Sequence, residues 1–271
     1  MVNQLSMVFM GLSALLSVAV PVVCFIYFYK KTKLSWKTVI VGLLVFILFS
    51  QVLGGVVNTY VLKGNSSTAA ILDNRYLYAL YGGLSAGFFE EMGRLVGFYY
   101  LLKKYREWKD GIGYAIGHGG IEAILIGVFA GIQNLLMSNM INSGEFERLL
   151  TTNNNSTLLA IKEQLVNTSS YMYLMIGVER ISAFIIQIAL SLLVLYGVKN
   201  NKKFLFVLYA IIIHASVDFV VIFSQSLGLH VLIIEGMLIA MAIVSIFVIK
   251  RFKVLFEGNI DSLKNHSSKY V

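Results

Sequence analysis

The sequence is poor in proline, cysteine and charged residues. Its 271 residues include one proline, one cysteine and 13% charged residues, whereas 58% are hydrophobic. The lone cysteine, Cys24, excludes an internal disulfide framework, and its apolar neighbours indicate a buried, unreactive thiol. So few charges cannot cover the surface of a soluble domain of this length. The composition therefore indicates a polytopic membrane protein.

Apolar runs of about 20 residues, the length that crosses the hydrocarbon core of a bilayer, recur along the chain. They predict an all-α transmembrane helical bundle of about seven spans, near residues 6–29, 38–62, 77–102, 111–137, 171–197, 204–224 and 229–249. We expect residues 1–249 to form a single transmembrane domain and residues 250–271 a short basic cytoplasmic tail. The polar segment Ser138–Ser170 is predicted to be an outer loop, either a lid or a connector, and its length favours a connector.

Lysine and arginine are concentrated on one predicted side of the membrane. They follow the first, third, fifth and seventh spans, at residues 30–37, 103–109, 199–203 and 250–253. The positive-inside rule therefore predicts an outside N-terminus and a cytoplasmic C-terminus. This topology accounts for the net charge of +8, and no interleaved basic and aromatic patch indicates a nucleic-acid partner.

Ionisable side chains lie within three of the predicted spans. Each costs roughly 3 kcal/mol or more in a bilayer unless it faces the protein interior or water. A spacing of four residues places three pairs each on one helix face: Glu90 with Arg94, His118 with Glu122, and His214 with Asp218. The helical rise, counted from the ends of the spans, places four of these residues about 14–20 Å below the outer surface: Glu90, His118, Glu122 and His214. We therefore predict that these groups share one polar site.

The consecutive acids Glu90 and Glu91 are the main indication of catalysis in the sequence. Arg94 can neutralise one carboxylate and leave the other to act as a general base, whereas a purely structural ion pair needs only one acid. Two histidines and a carboxylate, from His118, His214 and Glu91 or Asp218, form a set that either binds a catalytic zinc ion or holds the water without metal. Taken singly, each motif also fits a structural role in holding helices together.

The fifth predicted span adds Glu179, Arg180 and, two turns later, Gln187. Adjacent residues point about 100° apart on a helix, so Glu179 and Arg180 are expected to contact different neighbours. Structural bracing is at least as well supported for them as catalysis. Glu235 stands alone in the seventh span and is expected to snorkel towards the outer surface or to cap a helix.

Taken together, these residues resemble the signature of the type II CAAX prenyl endopeptidases. Three motifs occur in the same order on three predicted helices: Glu90-Glu91-x-x-Arg94, Tyr114-x-x-x-His118 and His214-x-x-x-Asp218. The additional His118-x-x-x-Glu122 and Glu179-Arg180 motifs are most similar to the YhfC-type branch, a bacterial family of intramembrane metalloproteases related to the PrsW-type proteases. The resemblance covers nearly the whole chain.

Three departures from the CAAX pattern bear on the site. Two residues, rather than three, separate Glu91 from Arg94, so Glu90 becomes the i+4 partner of the arginine and either acid can be the base. Tyr114 stands where the CAAX enzymes have phenylalanine. Asp218 replaces a frequent asparagine, which adds a candidate metal ligand.

The resemblance implies an intramembrane endopeptidase of the bacterial cytoplasmic membrane that cleaves a membrane-embedded or membrane-associated protein or peptide. Glu90 or Glu91 would take a proton from water, and His118 and His214 would hold that water or a zinc ion. Arg94 and Glu122 would orient these groups, and the supporting residues would be Tyr114, Glu179, Arg180 and Gln187.

Two other classes of protein also need buried polar groups. A proton-coupled transporter would place Glu, His and Asp along its pathway. A non-catalytic membrane scaffold could use the same fold to bind a helix. Because the sequence contains no clear inverted repeat, the pattern favours a protease over a transporter. The oligomeric state stays open.

Overall fold

A computed structural model describes residues 1–153 and 156–267 of the chain. Its α-helices are α1 (Gln4–Thr32), α2 (Trp36–Phe46), α3 (Gly55–Thr59), α4 (Ser66–Leu72), α5 (Arg75–Val96), α6 (Trp108–Ser143), α7 (Glu145–Asn153), α8 (Ser156–Asn167), α9 (Ser170–Lys199), α10 (Lys203–Ser226) and α11 (Val231–Ser267). No strand occurs within those two ranges. The predicted fold class, an all-α polytopic helical bundle, is confirmed.

Three π-helical segments interrupt or extend these helices, at Ile47–Gly54, Tyr60–Gly64 and Gly97–Leu101. The first two connect with α2 and α3 in one long apolar stretch, Trp36–Gly64. A π-helical turn displaces side chains from the regular helical repeat and often occurs at functional sites. The segment Ile47–Gly54 packs beside α5, the helix that carries the two consecutive acids.

Six stretches in the described residues are long and apolar enough to cross a membrane: Gln4–Thr32, Trp36–Gly64, Trp108–Ser143, Ser170–Lys199, Lys203–Ser226 and Val231–Gly258. They coincide with six of the seven predicted spans. The other predicted span, near 77–102, corresponds to α5 and the π-helical turn that follows it. α5 has 22 residues, and its charged residues shorten its apolar length. The orientation of the bundle in the membrane stays a prediction.

Helix α9 lies at the centre of the bundle. In its most apolar stretch 72% of the residues are buried, against 22–28% in the other five spans. It packs against α1, α6, α10 and α11. A polar side chain near the middle of α9, such as Gln187, is therefore directed at other helices and not at lipid.

Glycine allows close approach in two helix pairs that build the site. A Cβ atom at Gly83 of α5 would collide with the carbonyl oxygen of Ala215 on α10. One at Gly117 of α6 would collide with the carbonyl oxygen of Val39 on α2. Small residues at such contacts let backbones approach closely, as is common in membrane bundles. Close packing of α5 on α10 brings their polar side chains within reach of each other.

The segment predicted to be an outer loop contains helices. α6 continues to Ser143, and α7 and α8 follow it. In α8, Leu158, Ile161 and Leu165 recur at intervals of three and four, which places them on one helix face. This face packs in a second hydrophobic cluster whose buried members are Val2, Met10, Ile141, Phe146, Leu165 and Tyr173. Whether the segment acts as a lid or only as a connector stays a prediction.

Candidate functional site

Four helices direct polar side chains towards one point inside the bundle. α5 contributes Glu90, Glu91 and Arg94, α6 His118 and Glu122, α9 Gln187, and α10 His214 and Asp218. Six of these residues are at most 6% exposed: Glu90, Glu91, Arg94, His118, Gln187 and His214. The structure thus brings together the residues that the sequence placed at a common depth.

Glu90 contacts side chains from three other helical segments. Its Oε2 lies 3.0 Å from His118 Nε2 and accepts a hydrogen bond from Gln187 Nε2 at 2.9 Å. Ser50 Oγ donates to its Oε1 at 3.3 Å. Arg94 Nη2 lies 3.7 Å from Oε2. Both carboxylate oxygens of Glu90 are therefore held in place by neighbouring donors.

Arg94 makes its hydrogen bonds to Glu91 and Gln187, not to Glu90. The i,i+4 spacing had indicated Glu90 as its partner. Packing explains the difference, because Gly87 of α5 approaches Ala215 of α10, and Glu91 follows one turn later on the same face. Glu91 is therefore turned towards α10, and the arginine reaches back to it over three residues.

His214 of α10 links Glu91 to the other polar groups. Its Nδ1 lies 2.7 Å from Glu91 Oε1, and its Nε2 lies 3.5 Å from Asp218 Oδ2 and 4.0 Å from Glu90 Oε2. A proton on Nδ1 would be donated to Glu91 and would leave Nε2 as an acceptor. Asp218 contacts the site through this histidine.

His118 is enclosed by aromatic rings. Its ring centroid lies 5.0 Å from that of Phe46 in an edge arrangement and 5.9 Å from that of Tyr114 in a stacked one. Among the described residues, its Nδ1 and the hydroxyl oxygen of Tyr114 are buried without a hydrogen-bond partner. The rings fix the imidazole so that Nε2 points at Glu90.

Glu122, Arg180 and Glu179 continue the network on the other side of Gln187. Gln187 Nε2 donates to Glu122 Oε2 at 2.6 Å, and Arg180 Nη1 lies 3.8 Å from Glu122 Oε1. Contrary to the expectation from helix spacing, Arg180 also donates to its sequence neighbour Glu179. Long, flexible side chains can meet even though their Cβ atoms point in different directions. Arg180 therefore contacts both the adjacent Glu179 and Glu122 of α6.

The side chains of Glu90, His118 and Glu122 form a group that could hold a metal ion. One donor atom from each lies within 4.8 Å of the others. Catalytic zinc sites commonly use three such nitrogen and oxygen ligands at about 2.0–2.2 Å, so a small inward movement would complete the arrangement. Of the predicted ligands His118, His214 and Asp218, this group includes only His118. Glu122, expected to orient other groups, offers a ligand atom instead.

A cavity of about 250 Å³ opens onto the cluster. Its polar lining consists of Glu90, Glu122, Glu179, Arg180, Gln187, His214 and Asp218. Glu91, Arg94 and His118 lie behind this wall and do not line it. Of the two consecutive acids, only Glu90 can therefore meet a molecule in the cavity directly.

Two residues of the site were missed by the sequence analysis. Ser50 donates to Glu90, and Phe46 packs on His118. Ser50 carried a usable signal, since it is a polar residue inside an apolar span. Phe46 carried none, because one aromatic residue among many in apolar spans is not distinctive.

A family model and a relative are similar to this chain. A family model described as "YhfC intramembrane metalloprotease" matches residues 16–248. Over 259 residues, the chain is 39% identical to a protein of Bacillus subtilis (strain 168) named "Uncharacterized membrane protein YhfC". That alignment covers 95% of this chain and 100% of the relative. No solved structure matches the chain.

Proposed function

Because the chain belongs to the YhfC intramembrane metalloprotease family, we propose that it hydrolyses a peptide bond of a membrane-embedded or membrane-associated protein. The observation that carries this proposal is the group Glu90, His118 and Glu122 beside a polar cavity inside the bundle. Hydrolysis within a bilayer needs a water-binding site and a proton acceptor shielded from lipid. This cluster contains candidates for both.

Glu90, His118 and Glu122 would hold the metal ion in this proposal. When bound, zinc would lower the barrier by making the attacking water more acidic and polarising the peptide carbonyl. Gln187 Nε2 donates to both Glu90 and Glu122, at 2.9 Å and 2.6 Å. Such hydrogen bonds orient ligating carboxylates, so Gln187 would keep the ligand set in place.

His214 is the proposed proton acceptor when Glu90 is a ligand. Glu91 accepts the Nδ1 proton at 2.7 Å, which leaves Nε2 unprotonated on the cavity side, 3.5 Å from Asp218 Oδ2. Nε2 takes a proton from water as its oxygen attacks the carbonyl carbon, and later returns that proton to the leaving amine. Arg94 compensates the charge of Glu91, since a buried carboxylate without a partner is strongly destabilising.

A metal-free reaction would use Glu90 differently. Glu90 lines the cavity and would itself take the proton from water, with His118 and His214 as its neighbours. We place either reaction in the bacterial cytoplasmic membrane, with a membrane protein or peptide as substrate. The basic ends of the spans support the orientation with an outside N-terminus.

The proposal is tested by metal content and cleavage together. Purified wild type is expected to hold about one zinc ion per chain, and the double variant Glu90→Gln, His118→Ala none, because three-ligand zinc sites rarely survive the loss of two ligands. Cells that produce the Glu90→Gln variant should accumulate an uncleaved membrane protein. Quantitative mass spectrometry of protein termini would identify it. Glu257→Gln is the matched control, since its side chain is 61% exposed and lies outside the site.

The outcomes separate the two mechanisms. Full cleavage after exhaustive chelation removes the metal-dependent mechanism and retains Glu90 as the base. If Glu90→Gln and His214→Gln both fold and both produce the same new protein termini as wild type, the peptidase proposal is wrong. A transporter or scaffold function would then replace it.

A further inference from the structure

A second, larger cavity lies between α6, α8, α9 and α11. It has a volume of about 670 Å³, and we call it the vestibule. Its polar lining consists of Gln133, Asn134, Gln164, Thr168, Tyr173, Glu179, Gln225 and Glu235. None of the described residues that line it is lysine or arginine. The vestibule therefore presents acidic and neutral groups only.

Glu235 is the unusual residue of the vestibule. The sequence suggested a snorkelling or capping residue, but the side chain is buried, with only 4% of the residue exposed. Its Oε2 is buried and has no hydrogen-bond partner within the described part of the chain. A buried carboxylate oxygen without a partner is costly, and such groups in membrane spans generally mark a functional contact.

The vestibule adjoins the site cavity through one shared residue. Glu179 lines both spaces, and it accepts a hydrogen bond from Arg180, which lines only the site cavity. The charge of Glu179 is thereby compensated, so Glu235 is the acid in the vestibule without a cationic partner there. The two cavities therefore meet at Glu179.

We propose that the vestibule binds a lysine or arginine side chain of the substrate polypeptide, with the Glu235 carboxylate as its partner. This inference rests on the proposed peptidase function, because it assigns the ligand to the protein that is cleaved. A basic side chain supplies N–H donors to the Glu235 carboxylate and a charge opposite to that of Glu235. The amides of Gln133, Asn134 and Gln164 can satisfy the flanking backbone.

Geometry sets the position of this basic residue in the substrate. Gln187 contacts both Glu90 and Glu122 and lies eight residues beyond Glu179 on α9. At a rise of about 1.5 Å per residue, Glu179 and Gln187 are roughly 12 Å apart along the helix. An extended peptide covers this distance with about three or four residues. Because Glu235 lies on the vestibule side of Glu179, the basic residue is at least about that far from the bond that is cleaved.

The test measures binding and so does not depend on turnover. Full-length protein in lipid nanodiscs is titrated with fluorescent single-span peptides that are identical except for arginine, glutamine or glutamate at one end of the apolar core. Arginine should bind about tenfold more tightly than glutamine, as expected for one charge-assisted hydrogen bond. Glutamate should bind more weakly than both. Moving the arginine to the opposite end of the peptide should remove its advantage.

Variants assign the preference to Glu235. Glu235→Gln should bind the arginine and glutamine peptides equally, while its affinity for the glutamine peptide, which also reports correct folding, stays that of wild type. Glu163→Gln is the matched control, because Glu163 is an exposed acid on α8 that does not line the vestibule, and it should keep the tenfold preference.

Two results overturn the inference. The first is equal binding of the three peptides by wild type, which is informative even if a variant fails to fold. The second is an arginine preference that persists in Glu235→Gln. A third combination separates the two proposals. If the arginine preference disappears in Glu235→Gln but the experiment on protein termini detects no cleavage, the peptidase function is refuted and the binding site is retained.

Discussion

Two glutamate–arginine pairs of this bundle, one three residues apart on α5 and one of adjacent residues on α9, have different surroundings. Glu91 and Arg94 on α5 are fully buried, and both also contact other helices, through His214 and Gln187. Glu179 and Arg180 on α9 have side chains that are 25% and 11% exposed. The first pair lies behind the wall of the site cavity, and Glu179 of the second lies between two cavities.

The comparison teaches that the degree of burial, not residue type, decides what such a pair does. Removing one partner from a fully buried pair leaves a charge that water cannot reach, which is strongly destabilising. A partly exposed pair can be hydrated in part after the same change, so its loss costs less stability. We therefore assign the α5 pair to holding the site together and the α9 pair to the adjustable boundary between the cavities.

The largest expected effect is that of Glu91→Gln. Arg94 would lose its hydrogen-bonded carboxylate, and Glu90 at 3.7 Å would compensate its charge only in part. We expect a loss of about 3–5 kcal/mol in stability, as for other broken buried pairs. Thermal unfolding in detergent and the yield of monodisperse protein measure it. The double variant Glu91→Gln, Arg94→Met should regain much of the loss, and a double variant as unstable as the single one would contradict this explanation.

An intermediate effect is expected for Arg94→Lys compared with Arg180→Lys. Arg94 donates to both Glu91 and Gln187, and one ammonium group cannot reproduce that planar geometry. Arg94→Lys should lower stability by about 1–3 kcal/mol, the usual effect of leaving a buried polar group unpaired. Arg180→Lys should change it by less than about 1 kcal/mol, since partly exposed pairs tolerate such changes. Equal melting temperatures for the two variants would remove the distinction between the pairs.

The smallest effect on stability is expected for Glu179→Gln. Its side chain is the most exposed of the four, so we expect a change of at most about 1 kcal/mol in the free energy of unfolding. The same substitution should alter access between the cavities, because Arg180 would lose its adjacent acid and rely on Glu122. Thermal unfolding checks the first expectation, and peptide affinity in nanodiscs checks the second. A destabilisation as large as that of Glu91→Gln would break the comparison.

Sequence patterns located most of the site but misassigned some contacts within it. Helical spacing correctly grouped Glu90, His118 and His214, because residues of different spans at one depth in a narrow bundle meet when they face inward. The same spacing favoured Glu90 over Glu91 as the partner of Arg94, and the structure has the reverse. Side-chain length and the approach of α10 decide that contact, and neither follows from the position of a residue on an isolated helix.

The contacts of Glu235 could not be predicted from its position in the sequence. Its place near a predicted span end suggested contact with the surface, yet the residue is buried and lines a cavity with residues of α6, α8 and α9. Helices α7 and α8 occur in a segment whose polar composition resembles a loop. Their apolar residues are too few to identify helices by composition, but they are sufficient once α1 and α9 supply a surface to pack on.

The amino-acid sequence by itself determined that the chain is a membrane bundle, where its long apolar helices run and which ionisable groups lie within the bundle. These properties follow from the hydrophobic length of each segment and from the helical repeat, which are local. Only the tertiary structure decided that Arg94 pairs with Glu91, that Glu122 joins Glu90 and His118, and that a vestibule meets the site at Glu179. Those contacts depend on how closely and at what rotation neighbouring helices pack, and packing is set by all the helices together.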